Sequence, residues 1–199
     1  MSPPPDSNND STSQFDLPNY QPGEVIGQNY VITKKLGDGL LGAVYQVTTL
    51  KEKRDLALKI LRPNLVAEEI DQNRFIRELN QAKRLRHPGI VEYHDIGEHE
   101  GYKFFTMELI KGASLRQKMQ EYSQAGRDFT PQEMYGFLVQ ILEILKYAHR
   151  VTLHRNLKPE NVLMLQEKGK DGRMRMRIKV TDFAIAHIIS PTIFASSFV

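Results

Sequence analysis

The chain has 199 residues, 40% of them hydrophobic, enough for one domain with a buried core and a tail. It contains no cysteine, which excludes disulfides, a thiolate nucleophile and a thiolate metal site. The net charge of +3 conceals an asymmetry: the first 33 residues carry four acids and no Lys or Arg, so the remainder stands at about +7, compatible with phosphate-bearing ligands and equally with solubility.

Residues 1–24, "MSPPPDSNNDSTSQFDLPNYQPGE", are rich in Pro, Ser, Asn and Asp and poor in aliphatic residues. Such a composition does not bury enough to offset its ordering entropy, and the segment reads as a disordered acidic tail. It lacks the layout of a secretory signal, and no apolar run in the chain approaches the roughly 20 residues of a membrane span, so a cytoplasmic protein without a membrane segment is expected. From Tyr30, "YVITKKLG", "AVYQVTT" and "DLALKIL" alternate or gather β-branched residues and predict a meander of three strands. The next stretch, "NLVAEEIDQNRFIRELNQAKRLRH", places Val66, Ile70, Phe75, Leu79, Ala82 and Leu85 at helical spacing, with Asn64 as candidate N-cap. Two further strands are predicted around 90–96 and 102–109, joined by a turn containing Gly97 and Gly101. Residues 25–110 thus predict a small α+β lobe, five antiparallel strands and one long helix.

Over residues 111–199 the texture turns helical. A short helix is predicted over 114–123 and a long one from Thr130-Pro131 to 151, opened by a capping signature in which Glu133 follows Thr130 by three. Its core, "MYGFLVQILEILKYAH", is apolar on nearly every face and demands burial on all sides. Near the end, "RMRMRIKV" alternates bases with Met174, Met176, Ile178 and Val180, so a strand would turn the apolar set inward. A solvated strand face accounts for the basic row, and no nucleic-acid partner is expected.

"GDGLLG" at 37–42 is followed by a strand pattern rather than a helix, so its glycines join two antiparallel strands. Such a hairpin can lie over phosphates and donate backbone N–H groups; on this motif alone, an ordinary flexible hairpin reads as well. Lys59 interrupts the apolar strand "LALKIL" and must face solvent or meet an anion. Alternation sets Leu56, Leu58 and Ile60 on one face and Ala57, Lys59 and Leu61 on the other. Glu78, on the side of Phe75, Ala82 and Leu85, is the candidate counter-ion of Lys59; the alternative is a surface pair with Arg74.

A glycine hairpin, a lysine in an A-x-K strand, a helix glutamate, "HRNLKPEN" and "TDFAIA", in that order, resemble the protein kinases, whose signatures are H-R-D-L-x-x-x-N and D-F-G. The Lys in "LKPEN" resembles the eukaryotic-type Ser/Thr branch. The resemblance covers residues 30–199 and implies a kinase-like fold: a complete N-lobe and the first part of the helical C-lobe, truncated within the activation segment. It implies ATP and Mg²⁺ as cofactors, and a protein substrate or protein partner. Gly37, Gly39 and Gly42 would cover the ATP phosphates, and Val44 and Ala57 would pack on adenine. Lys59, oriented by Glu78, would hold the α- and β-phosphates. Met107 would guard the back of the pocket, with Glu108 to Ile110 as the adenine-binding hinge. Lys158 would steady the γ-phosphate, and Asn161 and Asp182 would ligate magnesium. His154 is expected as scaffold rather than base.

Three departures bear on activity. Asn156 stands where the family has its catalytic Asp, and a carboxamide orients a hydroxyl without accepting its proton. Ala184 replaces the glycine of D-F-G and narrows the accessible backbone conformations. The chain stops at Val199, after "ISPTIFASSFV", without an A-P-E segment, which leaves the long helix short of partners. The expectation is a Ser/Thr kinase-like domain impaired in phosphoryl transfer; the alternatives are a pseudokinase serving as a nucleotide-binding scaffold and an inactive gene fragment.

Overall fold

The computed structural model describes residues 17–39, 41–66, 69–169 and 172–183. Most of the expected tail, Ala184 and the segment "ISPTIFASSFV" lie outside them. Six strands form one antiparallel sheet: β1 (Val25–Ile26), β2 (Tyr30–Gly39), β3 (Gly42–Thr49), β4 (Asp55–Leu61), β5 (Tyr93–His99) and β6 (Tyr102–Glu108), in the order β1-β2-β3-β4-β6-β5. Five correspond to those expected, though β5 runs three residues later than 90–96 and takes in Gly97, expected in the turn, opposite Phe104; β1 is a two-residue addition at the edge.

The alternation read in "DLALKIL" decides how the sheet is clad. Leu56, Leu58 and Ile60 enter one core with Tyr30, Tyr45 and Phe104, while Ala57 and Leu61 enter a second with Phe75, Leu79 and Phe105. The second core is roofed by helix α1 (Glu69–Ala82), and Asn64, the expected N-cap, lies instead inside a 3-10 turn, Pro63–Leu65. The first core is closed by part of the segment read as tail. Tyr20 is buried, its hydroxyl donates to Glu100 Oε2 at 3.1 Å, and Tyr45 Oη donates to the Pro18 carbonyl at 2.9 Å. Leu17 and Tyr20 supply apolar area that the average composition of residues 1–24 hides, so the tail reading fails from residue 17 onward.

Beyond β6 the chain forms β7 (Ala113–Ser114), α2 (Leu115–Gln124), α3 (Pro131–Ala148), β8 (Val162–Lys168) and β9 (Met174–Val180), with β7-β8-β9 a small antiparallel sheet. The Thr130–Glu133 capping box is formed: Glu133 N donates to Thr130 Oγ1 at 3.2 Å and Thr130 N to Glu133 Oε2 at 2.8 Å. Ser114 and Gln117 cap α2 in the same way. Phe137, Ile144 and Ala148 of α3 pack on Met164, Ile178 and Val180. Ile178 and Val180 point inward as expected, but Met174 is exposed at the far end of β9. No helix among the described residues is long and apolar enough to cross a membrane.

Candidate active site

A cleft of about 560 Å³ lies where the two sheets meet, and it gathers nearly every residue singled out in the sequence. Gly37, Gly39 and Gly42 form one wall with Val44, Ala57 and Lys59; Met107, Glu108, Leu109 and Ile110 form the back; Asn156, Lys158, Asn161 and Asp182 form the floor. The β2–β3 register sets Gly39 opposite Gly42, so the glycines do join antiparallel strands. Gly42 is obligatory for packing: a Cβ there would lie 1.8 Å from the Ile60 carbonyl oxygen. Gly112 plays a similar part just beyond the hinge, where a Cβ would lie 2.1 Å from the Met164 carbonyl oxygen.

Lys59 is 6% exposed, and its Nζ pairs with Asp182 Oδ2 at 2.7 Å across 123 residues of sequence. Two buried charges are tolerable only when paired, and this pair satisfies that requirement. In this structure the counter-ion of Lys59 is thus Asp182, where the sequence suggested Glu78. Glu78 is buried on α1, on the side of Phe75 and Ala82, but it neither pairs with Lys59 nor borders the cleft. The surface alternative fails as well, since Arg74 pairs with Asp71 at 4.0 Å.

The floor is knit by backbone. Asn161 Nδ2 donates to the Asn156 carbonyl at 2.8 Å, and Thr181 N donates to the Asn161 carbonyl at 3.0 Å, which ties the loop carrying Asn156 to the strand end carrying Asp182. Asp182 adopts φ +62° and Arg155 φ +58°, left-handed conformations uncommon outside glycine. Asp182 Oδ1 is buried without a hydrogen-bond partner. His154 is scaffold, as expected: it is 2% exposed, one ring nitrogen shares a 2.9 Å hydrogen bond with the Thr181 carbonyl, and its ring lies 4.5 Å from that of Phe183. Burial holds its pKa below the ordinary value, against the opposing pull of Thr181 and Asp182.

Several cleft residues escaped the sequence reading. Leu36 and Leu41 flank the glycines and Leu163 follows Asn161 by two, positions that the motifs bracket without naming. Behind the hinge, Lys179 Nζ reaches both carboxylate oxygens of Glu108 at 2.8 Å. No local signal joins a strand lysine to a hinge glutamate 71 residues away.

Comparison with known proteins follows the same lines. A family profile of the protein kinase domain matches residues 30–199. The chain is 34% identical over 174 residues to the probable serine/threonine-protein kinase PknB of Lactococcus lactis, covering 86% of this chain and 26% of that protein. It is 33% identical over 171 residues to the serine/threonine-protein kinase PrkC of Bacillus subtilis, covering 85% and 24%. The crystal structure of the PknI kinase domain of Mycobacterium tuberculosis matches with a TM-score of 0.70 at 30% identity, covering 84% of this chain and 64% of that one. The chain thus spans about a quarter of the length of the curated relatives it matches.

Proposed function

Since this chain belongs to the protein kinase family and carries a Ser/Thr kinase domain, we propose that its cleft binds Mg·ATP and that Asn156 limits transfer of the γ-phosphoryl group to protein Ser/Thr. The observation that carries this reading is the Asp182 carboxylate. Lys59 holds Oδ2, while Oδ1 is buried with nothing to satisfy it. A carboxylate oxygen in that position suits a hard divalent cation. Asn161 is the second oxygen ligand: its Nδ2 is committed to the Asn156 carbonyl, which leaves the amide oxygen as the coordinating end.

Magnesium, when bound, neutralises charge on the phosphoryl oxygens. The chain's own residues do the rest. Gly37, Gly39 and Gly42 present backbone N–H groups over the phosphates, Lys59 and Lys158 supply cationic charge, and Val44, Ala57 and Met107 enclose the base against the hinge at Glu108–Ile110. Glu78 stands outside the cleft lining, and no ion pair joins it to Lys59 in this structure. Asn156 orients a hydroxyl but cannot take its proton near neutral pH, which places the transfer rate about 10²- to 10⁴-fold below that of a carboxylate.

A second reading, a nucleotide-binding scaffold without turnover, is favoured by how the floor is held. Asn156 anchors Asn161 through its backbone carbonyl, so the loop keeps its shape without an acid at this position. Binding of a fluorescent ATP analogue with Mg²⁺ tests the site: loss in Lys59→Ala and Asp182→Ala is expected, and unchanged binding would contradict it. Transfer of labelled γ-phosphate then separates the readings. A gain in Asn156→Asp identifies an impaired enzyme, and its absence identifies the scaffold.

A further inference from the structure

Among the described residues two buried side-chain polar atoms lack a hydrogen-bond partner, the Tyr93 hydroxyl and Asp182 Oδ1. The backbone brings the segments that carry them side by side. Ile90 pairs in parallel with Val180, with Val180 N donating to the Gly89 carbonyl at 2.8 Å and Val91 N to the Val180 carbonyl at 3.0 Å. The chain therefore runs toward Tyr93 alongside the stretch that runs toward Asp182. In the β5–β6 register Tyr93 stands opposite Met107, and Met107 Sδ accepts from Thr181 Oγ1 at 3.7 Å, which closes the cluster from the hinge side. The ring is fixed by packing, 2% exposed and 5.8 Å from the ring of Phe105.

The electrostatics agree with this placement. Burial first, and the Asp182 charge next, push the phenol well above its ordinary pKa, while the Thr181 hydroxyl and the amides of Asp182 and Phe183 act in the opposite sense. By its register beside Met107 and Thr181, Tyr93 brings an O–H donor to the turn that holds an unsatisfied acceptor. A residue in the left-handed region persists only where its surroundings over-determine it. For Asp182, Lys59 supplies one anchor on the carboxylate, and the second oxygen has none.

Resting on the Mg·ATP reading above, we propose that Tyr93 is a positioning residue for the metal-ligating carboxylate. Its O–H serves as donor to Asp182 Oδ1, directly or through one water, and completes the clamp that Lys59 makes on Oδ2. A carboxylate oxygen has two acceptor sites, so this bond leaves a lone pair for the cation. The hydroxyl is unsatisfied until that bond forms, so removing it relieves the metal-free protein while weakening metal binding.

Tyr93→Phe keeps the ring and deletes the donor. In the purified chain, a fluorescent ATP analogue titrated with Mg²⁺ is expected to need about tenfold more metal for half-saturation in the variant, with its metal-free affinity unchanged. Thermal melting without metal is expected to show the variant equal to the wild type or more stable, the opposite of a merely structural role. The proposal is overturned by an unchanged Mg²⁺ midpoint, or by parallel losses in metal-free binding and melting temperature. Failure of the wild-type chain to bind the nucleotide at any Mg²⁺ concentration would instead overturn the nucleotide reading on which the proposal rests.

Discussion

Phe75 on α1 and Leu142 on α3 are large apolar residues on helices that the sequence marks by the same periodicity, yet the first is 0% exposed and the second 62%. Around Phe75 the antiparallel sheet is finished on both faces, by α1 on one and by the strap through Tyr20 on the other. Around Leu142 it is not. Helix α3 turns Phe137, Ile144 and Ala148 onto β8 and β9, while Met134, Tyr135, Leu138 and Leu142 remain exposed. An apolar period reports that a face will be buried; it does not report what buries it.

The contrast is sharpest in truncation. Phe75→Ala is expected to cost about 3 to 5 kcal/mol, read as a fall in urea midpoint at constant slope, because the cavity opens among side chains held on every side. A cost near that of a surface substitution would mean that α1 does not roof a tight core.

Legibility in the sequence follows the same division. The alternation of "DLALKIL" placed each residue of β4 on its correct face, and the glycine hairpin, Lys59, Asn161 and Asp182 fell into one cleft as their order implied. Pairings set by the relative placement of distant elements were illegible. Lys59 meets Asp182 rather than Glu78 because the turn after β9 comes under β4, and no helical period encodes that approach. The strand "VLMLQEK" was missed because a short apolar run beside a polar loop fits strand or helix equally.

The contact that α3 does make can be broken polar-first. Gln140 covers the free edge of β9, its Oε1 accepting from Ile178 N at 3.1 Å and its Nε2 lying 3.4 Å from the Met176 carbonyl. Gln140→Leu keeps the bulk but leaves a backbone donor unsatisfied, and it is expected to lower stability by about 1 to 3 kcal/mol. If the urea midpoint does not move, the α3–β9 contact rests on apolar packing alone.

Below the cleft, the comparison can be tested with pH. Burial holds the His154 pKa under the ordinary 6.5, so the unfolded chain takes up a proton at a higher pH than the folded one. Between those two values the unfolded state binds more protons, and stability falls as pH drops below about 6.5. His94 is shifted in the same direction, by burial and then by Arg54, and adds to the slope. His154→Gln is expected to flatten, without abolishing, the decline of the urea midpoint between pH 7 and pH 5. An unaltered slope would assign the whole effect to His94 in the sheet.

The smallest stability effect is expected where the surface is most apolar. Leu138→Ser and Leu142→Ser remove side chains that are 55% and 62% exposed, so each is expected to change unfolding free energy by no more than about 0.5 kcal/mol. Their effect belongs to association instead. An apolar stripe in contact with water favours self-association, and the double variant is expected to shift the chain toward monomer in concentration-dependent light scattering while its urea midpoint stays in place. Should the midpoint fall with the scattering unchanged, the stripe is a buried face under solution conditions, and the division between the finished sheet and the open helix would have to be redrawn.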